Sequence, residues 1–182
     1  MKELLAHHRG NERLVAVDCA LGETRRRAKL YVRDRREVSG LIENWHPHHK
    51  IENILEVEVV TLDDLIAKYG IPSYCKIDVE GYEYKVLKGL SKIIPLISLE
   101  YHLGDHEKSR ACLDYLSRFG KLDINVTSGE TLRFLFEDWV SKEYFIEFLT
   151  KHLKHLSGFS YGDIFIRCNN QAGALPPPSS SV

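Results

Sequence analysis

Short apolar runs alternate with amphipathic segments along this chain, and this alternation limits the possible fold more than any other feature. The runs "LVAV" (14–17), "YCKI" (74–77) and "LISL" (96–99) are typical of buried strands, and "ILEVEVV" (54–60) alternates as a half-buried strand does. Amphipathic segments with helical spacing lie between several of these runs. Strands that alternate with helices favour βαβ units in a largely parallel sheet. The sequence therefore predicts an α/β fold.

Local signals place the remaining elements. Thr61 and Asp64 form the pattern of a capping box, and Gly70 and Pro72 end the helix that they begin. Further helices are predicted at the N-terminus (ending at Gly10), after Gly81 (with Val86, Leu87, Leu90, Ile93 and Ile94 on one face), from Asp105 to Phe119, and over 141–156. Further strands are predicted at "AKLYV" (28–32), "KLDINV" (121–126), "TLRFLF" (131–136) and "YGDIFIRC" (161–168).

Length and composition indicate the class of protein. A chain of 182 residues suits one domain, which we place at 1–170, and the Pro- and Ser-rich residues 171–182 are predicted to be a disordered tail. The net charge of -1 argues against nucleic-acid binding, and the sequence has no apolar run long enough for a membrane span. Four cysteines without a CxxC pair favour reduced thiols in a cytoplasmic protein. Composition does not predict an oligomeric state.

Polar side chains follow three of the predicted strands. Asp18 follows "LVAV", Asp78 and Glu80 follow "YCKI", and Glu100 with His102 ends the run that begins at "LISL". Taken alone, Asp78 or Glu80 is more simply explained as the cap of the next helix. Ligands of open α/β sheets gather at the carboxyl ends of the strands, so polar residues at three strand ends favour a shared cleft.

The amino-acid sequence of one long segment is similar to that of a known family. "VVTLDDLIAKYGIPSYCKIDVEGYEYKVLKGL", followed by "ISLEYH", resembles the FkbM family of S-adenosylmethionine-dependent methyltransferases, and "VDCALGE" resembles the family's segment near its third strand. The resemblance runs from about Asn11 to Cys168. It implies a Rossmann-like class I methyltransferase sheet with helices on both faces. It also implies methyl transfer from S-adenosylmethionine to a hydroxyl of a sugar, glycolipid or polyketide-type acceptor.

The resemblance also implies roles for individual residues. Asp78 and Glu80 would lie beside the methyl group and the acceptor, and Asp78 would also contact the cofactor. His102, or Glu100 orienting it, is a candidate base. The residues expected to border the adenine are Asp18, Cys19 and Ala20.

One feature of class I methyltransferases is missing from this sequence. They carry a glycine-rich turn after their first strand, whereas this sequence contains no Gly-x-Gly. We therefore expect an incomplete sheet without the family's first two strands, in which "LVAVD" either docks non-natively against "YCKID" or is loosely held. The alternative to an enzyme is a non-catalytic remnant that binds a partner.

A histidine-rich loop offers a third interpretation. His46, His48 and His49 of "WHPHHK" are possible zinc or nickel ligands. A polar, exposed loop is the simpler explanation, since no cysteine or carboxylate cluster adjoins these histidines in the sequence. We therefore predict no metal site.

Overall fold

The computed structural model describes residues 14–102, 106–129, 131, 133–151 and 161–169. Several predictions fall outside these residues: the N-terminal helix that ends at Gly10, the cap at Asp105, the helix beyond residue 151, and the tail at 171–182. The α/β prediction is confirmed by the elements within the described ranges.

The described residues form strands and α-helices in alternation. The strands are β1 (Ala20–Leu21), β2 (Arg26–Arg33), β3 (Ile51–Val60), β4 (Tyr74–Ile77), β5 (Leu96–His102), β6 (Lys121–Val126), β7 (Val140–Ser141) and β8 (Tyr161–Asn169). The α-helices are α1 (Leu62–Tyr69), α2 (Glu83–Lys88), α3 (His106–Leu116) and α4 (Lys142–Lys151), with single 3₁₀ turns at Arg36–Val38 and Ser117–Phe119.

A three-stranded sheet with the order β1-β3-β2 is formed by the first part of the chain. β2 and β3 are antiparallel and pair from Arg26 with Val59 to Arg33 with Ile51, with a register shift after Val32. β1 adds a short parallel strand in which Ala20 pairs with Val59. The long connection between β2 and β3 carries the histidine-rich loop.

A five-stranded sheet with the order β4-β5-β8-β6-β7 is formed by the rest of the chain. The β4–β5 pair is parallel. β8 lies between β5 and β6 and runs opposite to both, and β7 is antiparallel to β6. The prediction of a largely parallel sheet is therefore wrong, because the insertion of β8 between β5 and β6 makes these pairings antiparallel.

The core lies on one face of the five-stranded sheet. Alternate strand residues such as Ile77, Leu99 and Ile164 are buried in one apolar cluster, and side chains from all four described helices join this cluster. The opposite face carries polar and aromatic residues, among them Lys76 and Phe165. Within the described ranges the expectation of helices on both faces is therefore not met.

Two predicted strands are absent from the described residues. Residues 14–17 form no strand, and Leu14, Val15 and Val17 are exposed, so the expected docking of this segment against β4 is not observed. "TLRFLF" forms a single bridge, between Phe134 and Thr127. The Asn125 side chain bonds both the N–H and the C=O of Phe136, which bends this segment away from a strand path.

The two helices that begin after β3 and β4 differ in how well the sequence predicted them. α1 begins with the predicted capping box: the Thr61 hydroxyl accepts from Asp64 N–H, and the Asp64 carboxylate accepts from Thr61 N–H. α2 ends at Lys88, so Leu90 and Ile94 are buried beyond it rather than on its face. No described helix is both long and apolar enough to cross a membrane.

Candidate active site

Three carboxylates meet where β4 and β5 end. Asp78 directly follows β4, Glu80 lies two residues later, and Glu100 lies near the end of β5. One carboxylate oxygen from each lies within 4.8 Å of the others. The parallel pairing of Ile77 with Leu99 places these strand ends side by side, which produces the convergence.

A lysine from β4 lies among these acids. Lys76 Nζ is 3.5 Å from Asp78 Oδ2 and 3.2 Å from Oδ2 of Asp163, which pairs with Glu100 across β5 and β8. Burial opposes the charge on Lys76, but Asp163 and Asp78 outweigh it and raise the pKa of this ammonium group. Burial, reinforced by the negative charge of Glu100, raises the pKa of Asp78. Asp78 is therefore a stronger base than an ordinary aspartate.

The histidine at the end of β5 is held by a carboxylate. His102 Nε2 lies 3.2 Å from Glu100 Oε2, because residues two apart on a strand project from the same face. The bond to His102 lowers the pKa of Glu100 in spite of partial burial. A carboxylate bound to one ring nitrogen fixes the orientation of an imidazole, and this arrangement suits proton transfer.

Glu80 is held by the histidine-rich loop. His46 Nε2 lies 2.7 Å from Glu80 Oε2, and Trp45 Nε1–H donates to the same oxygen at 3.3 Å. The sequence gives no sign of a role for Trp45, and it offers His46 only as a possible metal ligand, with a polar, exposed loop as the preferred explanation. The contacts join residues 34 or more positions apart, so no local pattern could have revealed them.

The other histidines of this loop do not gather around a common point. His49 Nδ1 lies 3.1 Å from Asp34 Oδ1, whereas His48 is exposed. In the described part of the chain, the group close enough to hold one ion consists of Asp78, Glu80 and Glu100, without a histidine. The Lys76 ammonium already places positive charge beside it.

Trp45 also covers the turn that carries the carboxylates. A Cβ atom at Gly81 would lie 2.7 Å from the Trp45 ring, so the glycine permits the indole to pack directly on the backbone. Lys108 Nζ of α3 lies 3.6 Å from the centroid of the same ring, and the His102 ring lies 6.2 Å away. Trp45 thus connects the histidine-rich loop both to the turn that carries Glu80 and to the vicinity of His102.

An open cleft of about 420 Å³ adjoins the carboxylates. Its volume lies in the range of small-molecule sites, roughly 300–1,000 Å³. The lining is made by the end of β4, by β5 and β8, and by the turn after β6: Lys76, Asp78, Glu100, Thr127, Gly129, Thr131, Phe134, Tyr161, Gly162, Asp163 and Phe165. Of the predicted catalytic residues, Asp78 and Glu100 line this cleft.

The residues predicted to border the adenine lie just before and at the start of β1 in the three-stranded sheet. Ala20 pairs with Val59 of β3, Asp18 is exposed, and Cys19 is partly buried. Burial, followed by the charges of Glu58 and Asp18, raises the pKa of the Cys19 thiol, which keeps it protonated at neutral pH. The structure brings Asp78, Glu80, Glu100 and His102 together. It places Asp18 and Cys19 just before β1 and Ala20 at the first position of β1.

Taken together, the fold and this site define an α/β protein with an open cleft, lined in part by carboxylates, at the ends of two parallel strands. The family model described as the methyltransferase FkbM domain matches residues 6–143. The match covers more than half of the chain, which therefore belongs to the FkbM methyltransferase domain family, as the resemblance predicted. A search of curated proteins and a search of solved structures each found no match.

Proposed function

We propose that this chain is an S-adenosylmethionine-dependent methyltransferase that acts on a hydroxyl of a small-molecule or glycan acceptor, such as a sugar, glycolipid or polyketide-type compound. The observation that carries the proposal is the convergence of Asp78, Glu80 and Glu100 at the strand ends, inside the range that the family model matches. The order β4-β5-β8-β6 also agrees with strands four, five, seven and six of a class I methyltransferase sheet.

The carboxylates fit one part of the cofactor. A sulfonium carries a positive charge, and carboxylates within a few ångströms stabilise such a charge. Asp78 would hold this part, and Asp18, Cys19 and Ala20 would hold the adenine. When bound, the cofactor supplies an electrophilic methyl group. The described residues do not include a glycine-rich turn for the methionine carboxylate, so the proposed contacts are limited to the sulfonium and the adenine.

The acceptor hydroxyl must lose its proton during transfer, and two groups of this chain can take it. His102 is oriented by Glu100 at 3.2 Å. Asp78 has a raised pKa, so it binds a proton more readily than an ordinary aspartate, whereas the pKa of Glu100 is lowered. Lys76 lies against Asp78 and Asp163 and limits the mutual repulsion of the carboxylates.

Calorimetric titration with S-adenosylhomocysteine tests the cofactor, and methyl transfer by variants tests the residues. We expect binding by the wild-type chain and a loss of about a hundredfold in transfer rate for both Asp78→Asn and His102→Ala. His48→Ala is the matched control, because His48 is an exposed histidine of the loop.

Full transfer activity in both site variants would refute the residue assignments. If neither this chain nor one extended upstream in the same reading frame bound S-adenosylhomocysteine, the enzyme would be excluded in favour of a non-catalytic binding module.

A further inference from the structure

The open cleft beside β8 carries an excess of negative charge. Its charged lining groups are the ammonium of Lys76 and the carboxylates of Asp78, Glu100 and Asp163. Lys76 is shared between two of these carboxylates, so its charge is already engaged. A cleft of one dominant sign attracts ligands of the opposite sign and repels those of its own.

Asp163 is fixed in this cleft by its backbone. Its N–H donates to Thr127 Oγ1 at 3.3 Å, and its C=O accepts from Thr127 N–H at 2.9 Å. Its side chain is 22% exposed and faces Glu100 across the β5–β8 pair. Ionised carboxylates accept hydrogen bonds and do not donate them, so this pair is suited to hydroxyl or amine donors.

One wall of the cleft is aromatic. The Phe134 and Phe165 rings meet edge to face with centroids 5.2 Å apart, and Tyr74 stacks near-parallel to Phe165. Phe134 remains 48% exposed. Its exposed surface offers an apolar platform beside the carboxylates, and water is the alternative partner for this surface in the free protein.

From this arrangement we propose that the cleft binds a cyclic polyol that is neutral or carries an amine, and that it rejects phosphorylated or carboxylated forms. The carbon-bound hydrogens of the ring pack on Phe134, while its hydroxyls or amine donate to Glu100 and to Oδ2 of Asp163, since Oδ1 of Asp163 is buried. Asp163 determines the charge preference. The inference rests on the proposed function in that the cleft is taken as the acceptor site.

Ligand-observed saturation-transfer NMR without cofactor tests this proposal with three probes: methyl glucoside, glucosamine and glucose 6-phosphate. At pH 6.5 and low salt, we expect the first two to bind and the phosphate to bind at least about tenfold more weakly than glucosamine. The preference for glucosamine over glucose 6-phosphate becomes smaller at high salt, where the charges are screened.

Two matched pairs of variants assign the residues. Asp163→Asn reduces the ratio of glucosamine to phosphate binding several-fold, whereas Asp114→Asn, on the exposed face of α3, leaves it unchanged. Phe134→Leu weakens binding of the glucoside, whereas Tyr69→Leu, at the exposed end of α1, does not. Circular dichroism verifies that each variant is folded.

Equal binding of all three probes, stronger binding of the phosphate, or no binding of any probe would overturn the proposal. Displacement of the glucoside by S-adenosylhomocysteine would also overturn it, since the cleft would then hold the cofactor. Loss of methyl transfer or of cofactor binding, with the probe preferences intact, would count against the proposed function alone.

Discussion

Glu80 and Gly81 both adopt the left-handed backbone conformation, with φ of 55° and 83°. This region is unfavourable for a residue with a Cβ, so the Glu80 conformation must be maintained by other contacts. His46 and Trp45 bind its carboxylate, and Gly40 allows the backbone of the loop to approach its Cβ. The strained residue of the turn is thus one whose side chain reaches the candidate site.

Gly81→Ala combines an unfavourable φ with a collision against Trp45. We expect it to lower the free energy of unfolding by at least about 2 kcal/mol and to displace the indole. Gly70→Ala is the control, because Gly70 also has a positive φ but has no atom near the added methyl group. Urea unfolding and Trp45 fluorescence in a Trp139→Phe background measure both effects. An unchanged Trp45 emission in Gly81→Ala would contradict the packing argument.

Glu83 is a buried carboxylate outside the cleft. It is 8% exposed and accepts from the N–H groups of Val79 and Gly81 at 3.2 and 3.1 Å. Burial raises its pKa above the usual 4.5, although these hydrogen bonds act in the opposite direction. Its role is to hold the turn that carries Glu80.

The raised pKa of Glu83 gives its contribution to stability a defined sign. The folded state binds the proton more tightly than the unfolded state, so this contribution is full below pH 4.5 and is lost as the pH rises through the higher folded value. Glu83→Gln keeps an acceptor and should remove this pH dependence. Glu83→Ala also removes the titration but leaves two N–H groups unpaired, so it should cost about 2 kcal/mol relative to Glu83→Gln at every pH. Urea unfolding at pH 4, 5.5 and 7 compares the three proteins, and an identical slope in wild type and Glu83→Gln would reject the assignment.

At the scale of elements, the best-predicted unit is α1, because its start and end depend on adjacent residues. The capping box of Thr61 and Asp64 and the terminal Gly70 appear where the sequence places them. α2 is less well predicted, because its apolar residues continue past its end. Gly89 and Leu90 N–H groups bond three residues back, and the chain then turns toward β5.

Thr61→Ala tests the capping box. Loss of the hydroxyl leaves Asp64 N–H without its acceptor, and we expect the free energy of unfolding to fall by about 1 kcal/mol. Thr61→Ser retains the hydroxyl and should restore most of this loss. Chemical denaturation of the three proteins gives the comparison, and a Thr61→Ser variant as unstable as Thr61→Ala would point to the methyl group instead.

Strands were predicted from apolar runs, and these predictions were correct where the run packs against helices. β4, β5, β6 and β8 were all predicted, and each contributes to the core. The predictions failed at "LVAV", whose apolar residues are exposed, and at "TLRFLF", where the side chain of Asn125 takes the backbone groups of Phe136. An apolar run specifies a strand only if a partner strand is available, and the run itself does not contain that information.

At the scale of the whole molecule, the two sheets are joined through α2. A Cβ at Gly89 would overlap the carbonyl of Gly22, which shows how closely the two backbones approach. Next to this contact, Glu23 lies 2.9 Å from Lys85 and 2.7 Å from Lys88. These bonds with the two lysines lower the pKa of Glu23 to about 2. The close contact between the Gly22 and Gly89 backbones therefore lies beside the ion pairs of Glu23 with Lys85 and Lys88.

Gly89→Ala should separate the three-stranded sheet from α2, because neither backbone can yield easily. We expect a loss of about 3 kcal/mol and faster hydrogen exchange in β1 and β3 than in β6 and β8. Lys88→Ala removes one of the two ion pairs of Glu23 without adding an atom and should cost much less than Gly89→Ala, because the pair is exposed to solvent. Equal exchange in both sheets of Gly89→Ala would contradict this account of how they are joined.

The sequence by itself determined the α/β class, the family, α1, and the presence of carboxylates at the ends of β4 and β5. These depend on residues that are neighbours in the chain or on a motif read along it. Only the tertiary structure decided that β8 inserts between β5 and β6, that His46 and Trp45 hold Glu80, and that Asp163 and Phe134 line the cleft. These features join distant segments, and their energies depend on distances and burial that arise only once the chain has folded.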